Sequence, residues 1–142
     1  MKKLQKDISN VGLKVTPQRI AILEHLRKNR IHPTAEKIHH GLLKEYPTIY
    51  LTTVYNTLYK FVEVGMIKEL DIDQNKMRFD TCTDPNDHFH CRACDNVYDI
   101  DYNASILADN LQNNKTIEGH KVDAISINLK GVCKYCEAAV SP

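Results

Sequence analysis

A chain of 142 residues, 42% hydrophobic and 26% charged, suffices for one ordinary domain or two small ones that share stabilising devices, and no stretch approaches the length of a membrane span. The formal net charge of +1 conceals a division: residues 1–70 carry 12 Lys and Arg against 6 Asp and Glu, a net +6, and residues 71–142 carry 7 against 12, a net −5. The basic half can engage phosphate and the acidic half cations. The N-terminus, Met1 to Asp7, lacks the apolar run of a secretory leader, so a soluble, cytoplasmic protein in a reducing compartment is expected.

A short amphipathic start (Leu4, Ile8, Val11) precedes Gly12, which reads as the residue closing a first helix. Thr16-Pro17 supplies an N-cap and a proline at the first helical position, with Ile20, Leu23 and Leu26 behind it, predicting a helix from about Pro17 to Lys28. Thr34 caps a third helix whose buried stripe is Ala35, Ile38 and Leu42 and which ends before Pro47. A fourth begins near Thr52, buries Val54, Leu58, Phe61 and Val62, and stops at Gly65. From Met66 the period becomes two. Residues 66–70 and 76–80 flank a polar turn at 71–75 and predict a β-hairpin. Three helices and a hairpin in this order make a winged helix-turn-helix.

Asp84-Pro85-Asn86-Asp87 is a loop-forming break, dividing the chain into residues 1–83 and 84–142. Beyond it the pattern predicts a strand at Val97 to Ile100, a helix near Ala104 to Asn113, and a strand at Ala124 to Leu129 with Ile125, Ile127 and Leu129 on one face. The predicted class is α+β, with a winged-helix domain and a small α/β domain after it.

Cys91-Arg92-Ala93-Cys94 and Cys133-Lys134-Tyr135-Cys136 are two Cys-x-x-Cys pairs. Each lets two sulfurs reach one ion from a tight turn, and together they complete the closed tetrahedral coordination of structural Zn²⁺. Disulfides or redox-active dithiols are the plainer reading, disfavoured because four of the five cysteines have metal-type spacing. Cys82 stands outside both pairs. Its default reading is a buried small hydrophobe, and the alternatives are a soft ligand or an oxidisable thiol.

His88 and His90 share a face of an extended segment, with Asp80 at the end of the wing, Asp99 past the first cysteine pair and His32 between the second and third helices. Mixed imidazole and carboxylate donors suit Fe²⁺, Mn²⁺ or Zn²⁺. His25, His39, His40 and His120 are read as structural or simply exposed. The polar face of the fourth helix, with Thr53, Tyr55, Asn56, Tyr59 and Lys60, has the composition of a major-groove reader, although a solvated face looks similar.

Taken together, Val15-Thr16-Pro17-Gln18-Arg19, His32-Pro33-Thr34-Ala35, Thr53-Val54-Tyr55-Asn56-Thr57-Leu58, Arg78-Phe79-Asp80 and the two cysteine pairs resemble the Fur family of bacterial metalloregulators over nearly the whole chain. The resemblance implies a homodimeric repressor of a double-stranded DNA operator, with a C-terminal dimerisation domain, a Cys₄ zinc and a regulatory metal between the domains. Loss or oxidation of that metal site would release the DNA. Asn56 after the Thr-Val-Tyr motif, and Asp at both 80 and 99, look most like the PerR peroxide-sensor subgroup; a Fur-type iron-uptake or Zur-type zinc-uptake regulator is the alternative.

Carried over residue by residue, the regulatory ligands fall on His32, Asp80, His88 and Asp99. The remaining histidine position falls on Asn86, a departure from the pattern that leaves Asn86 and His90 competing for it. An additional His-rich site is not expected, since Asp123 and Ala124 stand where a His pair would be. Expected DNA contacts are Thr53, Tyr55, Asn56 and Lys60, with Arg19 from the second helix; expected oxidation targets are His32 and Cys82. Enzyme readings fail on the residues: a zinc deaminase needs His-x-Glu with Pro-Cys-x-x-Cys, and neither cysteine pair opens a helix in a βαβ unit as a thiol oxidoreductase requires.

Overall fold

The computed structural model describes residues 1–30, 32–73, 76–83, 87–100, 116–123 and 127–140. Four helices come first: α1 (Lys2–Asn10), α2 (Pro17–Lys28), α3 (Ala35–Leu42) and α4 (Leu51–Glu63). The Thr16 hydroxyl accepts from the Arg19 amide at 3.2 Å and the Thr34 hydroxyl from the Lys37 amide at 3.3 Å, so both capping threonines satisfy a donor the helix cannot. Gly12 and Gly65 close α1 and α4 at φ of +79° and +76°, a region where a side chain would be strained.

The strands β1 (Lys68–Asp73) and β2 (Lys76–Asp80) pair antiparallel as the wing. A short bridge from Thr34 to Arg78, and the Phe79 amide donating to the Pro33 carbonyl at 3.3 Å, fasten the entry to α3 along the free edge of β2. One apolar cluster joins Ile8 of α1, Ile22 and Leu23 of α2, Ile38 of α3, Val54, Leu58 and Phe61 of α4, and Phe79 of the wing. Each such buried side chain contributes roughly 1.5–3 kcal/mol.

After the break come β3 (Asp87–Cys91), β4 (Val97–Ile100), the small hairpin of β5 (Thr116–Ile117) and β6 (His120–Lys121), then β7 (Asn128–Gly131) and α5 (Lys134–Val140). The sheet order is β4-β3-β7, with β3 antiparallel to β4 and parallel to β7. Its register sets His88 opposite Asp99 and His90 opposite Val97.

Four local expectations shift. The first strand of the wing runs on to Asp73 because Leu70 and Ile72 alternate inward and pack with Val97, so residues 71–73 are strand and not turn. In α4, Thr57 is buried and Val62 only half-buried, so the buried face is not the one expected at that end of the helix. The strand expected to end at Leu129 continues to Gly131, and Leu129 is 38% exposed among the described residues, so its apolar face is not covered by them. The β5–β6 hairpin had no clear signal. The helix expected near residues 104–113 and the start of the strand at 124–126 lie outside the described residues, as does Asn86.

Candidate metal centres and nucleic-acid face

Four side chains from four separate segments converge. His32 from the turn before α3, Asp80 from the end of β2, His88 from β3 and Asp99 from β4 offer ligand atoms that all lie within 4.8 Å of one another. His32 Nε2 is 2.8 Å from Asp99 Oδ1, and its Nδ1 is 3.5 Å from Asp80 Oδ1. His88 Nε2 is 3.3 Å from both Asp80 Oδ2 and Asp99 Oδ1. The two imidazoles meet edge to face at a centroid separation of 5.0 Å. An ion about 2.1 Å from each donor places neighbouring donors about 3.0 Å apart in an octahedron and about 3.4 Å apart in a tetrahedron. With one nitrogen taken from each imidazole, the spacings of 2.8 and 3.3 Å fall on either side of the octahedral value, so these residues fit a divalent transition metal.

His32, Asp80 and His88 are each 3% exposed, whereas the Asp99 side chain is 41% exposed. A cavity of about 250 Å³ adjoins the group, its lining including His32, Phe79, Asp80, Cys82 and Asp99. Burial lowers the His88 pKa from its ordinary value, against the opposing pull of Asp80. A neutral imidazole is the form a metal requires. The Asp80 carboxylate is further oriented by the Cys82 amide, which donates to Oδ1 at 2.8 Å.

Two expectations change here. His90 does not join this group: its Nε2 lies 2.8 Å from Asp95 Oδ1. It shares a face with His88, but two residues along a strand is roughly 6.6 Å, and the register that sets His88 against Asp99 carries His90 past it to Val97. Cys82 is exposed and not a buried hydrophobe, because it sits on the segment leaving the wing, outside both apolar clusters.

The four paired cysteines form a second group. Cys91 and Cys94 occupy the turn from β3 to β4, while Cys133 precedes α5 and Cys136 lies in its first turn. A tetrahedron with zinc–sulfur distances of about 2.3 Å has edges of about 3.8 Å; Cys94 Sγ and Cys133 Sγ are 3.8 Å apart. The Cys91 sulfur accepts the Cys133 amide at 3.2 Å and the Cys94 amide at 3.5 Å, and these donors pull its pKa down to about 6. The Cys136 thiol is pushed up to about 12 by the neighbouring sulfurs of Cys133 and Cys94. Four thiolates this close ionise together only around a cation, so the set fits Zn²⁺.

The exposed face of α4 forms a groove of about 440 Å³ with Arg19 of α2, lined by Thr53, Asn56, Thr57, Tyr59, Lys60 and Glu63. Arg19 also donates to the Lys14 carbonyl at 2.6 Å. Tyr55 is half-buried, stacked on Tyr59 at 6.1 Å, and donates its hydroxyl to Glu36 of α3, which with burial raises its pKa to about 12. Glu36 and the buried Arg78 were not singled out by sequence reasoning. Arg78 carried a signal, since it has the same parity on β2 as Asp80.

The model of the ferric uptake regulator family matches residues 10–130. This chain belongs to the ferric uptake regulator family. Members of the family are transcriptional regulators and not enzymes, and they bind DNA operators as dimers. The chain is 36% identical over 138 residues to a peroxide operon regulator of Bacillus subtilis, covering 96% of this chain and 92% of that protein. It is 32% identical over 141 residues to a peroxide-responsive repressor of Staphylococcus aureus (strain Mu50), with 95% and 92% covered. The ferric uptake regulator of Vibrio cholerae has a similar solved structure, with a TM-score of 0.76, 26% identity, and 91% of this chain and 98% of that one covered. None of the described helices in this family member is long and apolar enough to cross a membrane.

Proposed function

We propose that this chain is a dimeric repressor that answers peroxide through a ferrous or manganous ion held by His32, Asp80, His88 and Asp99, with Zn²⁺ held by Cys91, Cys94, Cys133 and Cys136. The carrying observation is that two ligands come from the winged helix (residues 1–83) and two from the dimerisation and sensing part (residues 84–142), all within 4.8 Å of one another. An ion shared by both parts favours one relative position of the two, and so one spacing of the recognition helices in a dimer. The face of α4 with Thr53, Tyr55, Asn56 and Lys60, joined by Arg19, enters the major groove.

Two carboxylates neutralise a divalent ion, and two imidazoles favour a transition metal over Mg²⁺ or Ca²⁺. Ferrous iron, when bound, supplies the electron that reduces peroxide beside a ligand; the manganous ion is far less prone to do so. His32 is the histidine that borders the cavity beside the site, so its ring would take up one oxygen of hydrogen peroxide while the other leaves as water. An oxidised imidazole no longer donates a lone pair in the same direction, and the shared ion is lost with the DNA-competent arrangement.

Operator binding by the Fe²⁺ and Mn²⁺ forms, before and after peroxide, tests this reading. The Fe²⁺ form should lose DNA while the Mn²⁺ form keeps it, with one oxygen added to the peptide containing His32. Release with either metal, together with oxidation of Cys82, would make the thiol the sensor. No response from either form would make the chain a sensor of metal level, in the manner of an iron-uptake or zinc-uptake regulator.

A further inference from the structure

Among the described residues, Arg78 is the largest side chain with no exposed surface. A guanidinium taken fully out of water is costly unless its donors are answered, so its partners identify what it holds. Its Nη1 donates to the His32 carbonyl at 3.3 Å, and its Nη2 donates to the Asp95 carbonyl at 2.6 Å and lies 2.9 Å from Asp95 Oδ2. Nε has no hydrogen-bond partner among the described residues. The group spans two distant segments at the expense of one of its own donors.

Both partners sit in strained backbone. His32 has φ of +51° and Asp95 has φ of +64°, in the left-handed region that residues with a Cβ adopt only when their surroundings hold them there. At His32 that conformation sends the imidazole toward Asp80 and Asp99 while turning the carbonyl toward Arg78. Asp95 immediately follows Cys94, and its carboxylate also meets His90 Nε2 at 2.8 Å and Lys76 Nζ at 3.4 Å. One guanidinium therefore joins the backbone of a regulatory ligand to the turn that carries two of the four zinc cysteines.

We propose that Arg78 is a positioning residue of the regulatory centre: it clamps His32 in its strained conformer and braces that clamp, through Asp95, against the first Cys-x-x-Cys turn. The proposal rests on the reading of His32, Asp80, His88 and Asp99 as the regulatory metal site, and extends it to residues that touch no metal. Lysine cannot replace this arginine, since an ammonium is a point charge without the planar fork that reaches His32 and Asp95 together.

The test compares wild type with Arg78→Lys, Asp95→Asn and the double variant, each as the full-length zinc-loaded protein. Zinc content and sedimentation establish that the fold and dimer persist; the regulatory centre is then read with Mn²⁺ affinity and with the visible ligand-field bands of Co²⁺. Either single variant should weaken Mn²⁺ binding by about 10–100-fold, the range for residues that orient ligands without binding the metal, and should shift the Co²⁺ bands while zinc stays at wild-type content. The double variant should lose little more than either single one, because both act through one clamp. Unchanged Mn²⁺ affinity and Co²⁺ spectra in Arg78→Lys would overturn the positioning role and leave the metal site standing. A wild-type protein that binds no second divalent ion beyond zinc would overturn the site itself and this role with it. Should Arg78→Lys not fold, Asp95→Asn, which removes the ion pair with Arg78 and keeps its backbone bond, decides the brace: unchanged Mn²⁺ affinity and Co²⁺ spectra there would overturn it.

Discussion

Replacing Cys136 with serine removes one of the four sulfurs that tie the β3–β4 turn to the β7–α5 junction. The structure lets the consequence be sized. Among the described residues from Asp87 onward, the buried apolar side chains are Cys91, Val97 and Cys133, and two of those three are themselves members of the cysteine group. Burying Val97 contributes roughly 1.5–3 kcal/mol, whereas a structural zinc contributes about 10–16 kcal/mol in small modules near neutral pH. A typical domain has a net stability of only about 5–15 kcal/mol, so the loss of zinc exceeds what the remaining contacts of this region hold in reserve. The buried residues of the helical core lie between Ile8 and Phe79, so this core should survive. In Cys136→Ser, zinc measured by elemental analysis should fall from one per chain toward none and sedimentation should show loss of the dimer. Hydrogen exchange should find the Arg92 amide, now bonded to the Gly131 carbonyl at 2.8 Å, unprotected while α2 and α4 keep their protection. A zinc-free variant that remains a dimer with Arg92 protected would refute the reasoning.

Lys60→Ala should weaken operator binding across all sequences and reduce the slope of log affinity against log salt by about 1, since its exposed pairing with Glu63 at 3.0 Å contributes little to the fold. Asn56→Ala should instead relax preference at particular base pairs by about 1–3 kcal/mol, measured with a panel of single-base operator variants. Burial lowers the pKa of both His25 and His88 below the ordinary histidine value. The unfolded chain then binds more protons than the folded one as pH falls through the ordinary value, so the unfolding free energy of the protein without a regulatory ion should decline from pH 7 downward and level off below the depressed folded-state values. Denaturant titrations at a series of pH values check this; stability that rose on acidification through that window would contradict it. Cys82→Ser should leave zinc content and the peroxide response of the Fe²⁺ form unchanged, because Cys82 touches the centre through its backbone amide.

The parts of this molecule that were readable in one dimension are those whose physics is local. Thr16-Pro17 marks the start of α2 because a capping hydroxyl and a proline both act within one turn, and Cys-x-x-Cys reads as a metal loop because both sulfurs come from the same turn. His90 illustrates the limit: alternation assigns it a face shared with His88, but only the pairing of β3 with β4 decides which residue stands opposite Asp99. Arg78 stands within a family motif, and its role is hidden for the same reason. Its parity with Asp80 was visible, while the partners that justify burying a guanidinium lie 46 and 17 residues away in the chain. The extension of β1 through Ile72 likewise depends on Val97, a contact 25 residues along the chain that no short window of sequence contains.

The central claim is that one ion, shared by His32, Asp80, His88 and Asp99, sets the arrangement that binds DNA. Linkage requires such a coupling to be reciprocal. Mn²⁺ affinity of the zinc-loaded dimer, titrated with and without saturating operator duplex, is therefore the most direct measurement. The account predicts that operator DNA tightens Mn²⁺ binding by the same factor by which Mn²⁺ tightens operator binding, about 5–150-fold for couplings of the usual size. Mn²⁺ affinity that is indifferent to the operator would show that the ion and the DNA do not select the same conformation, and would contradict the account.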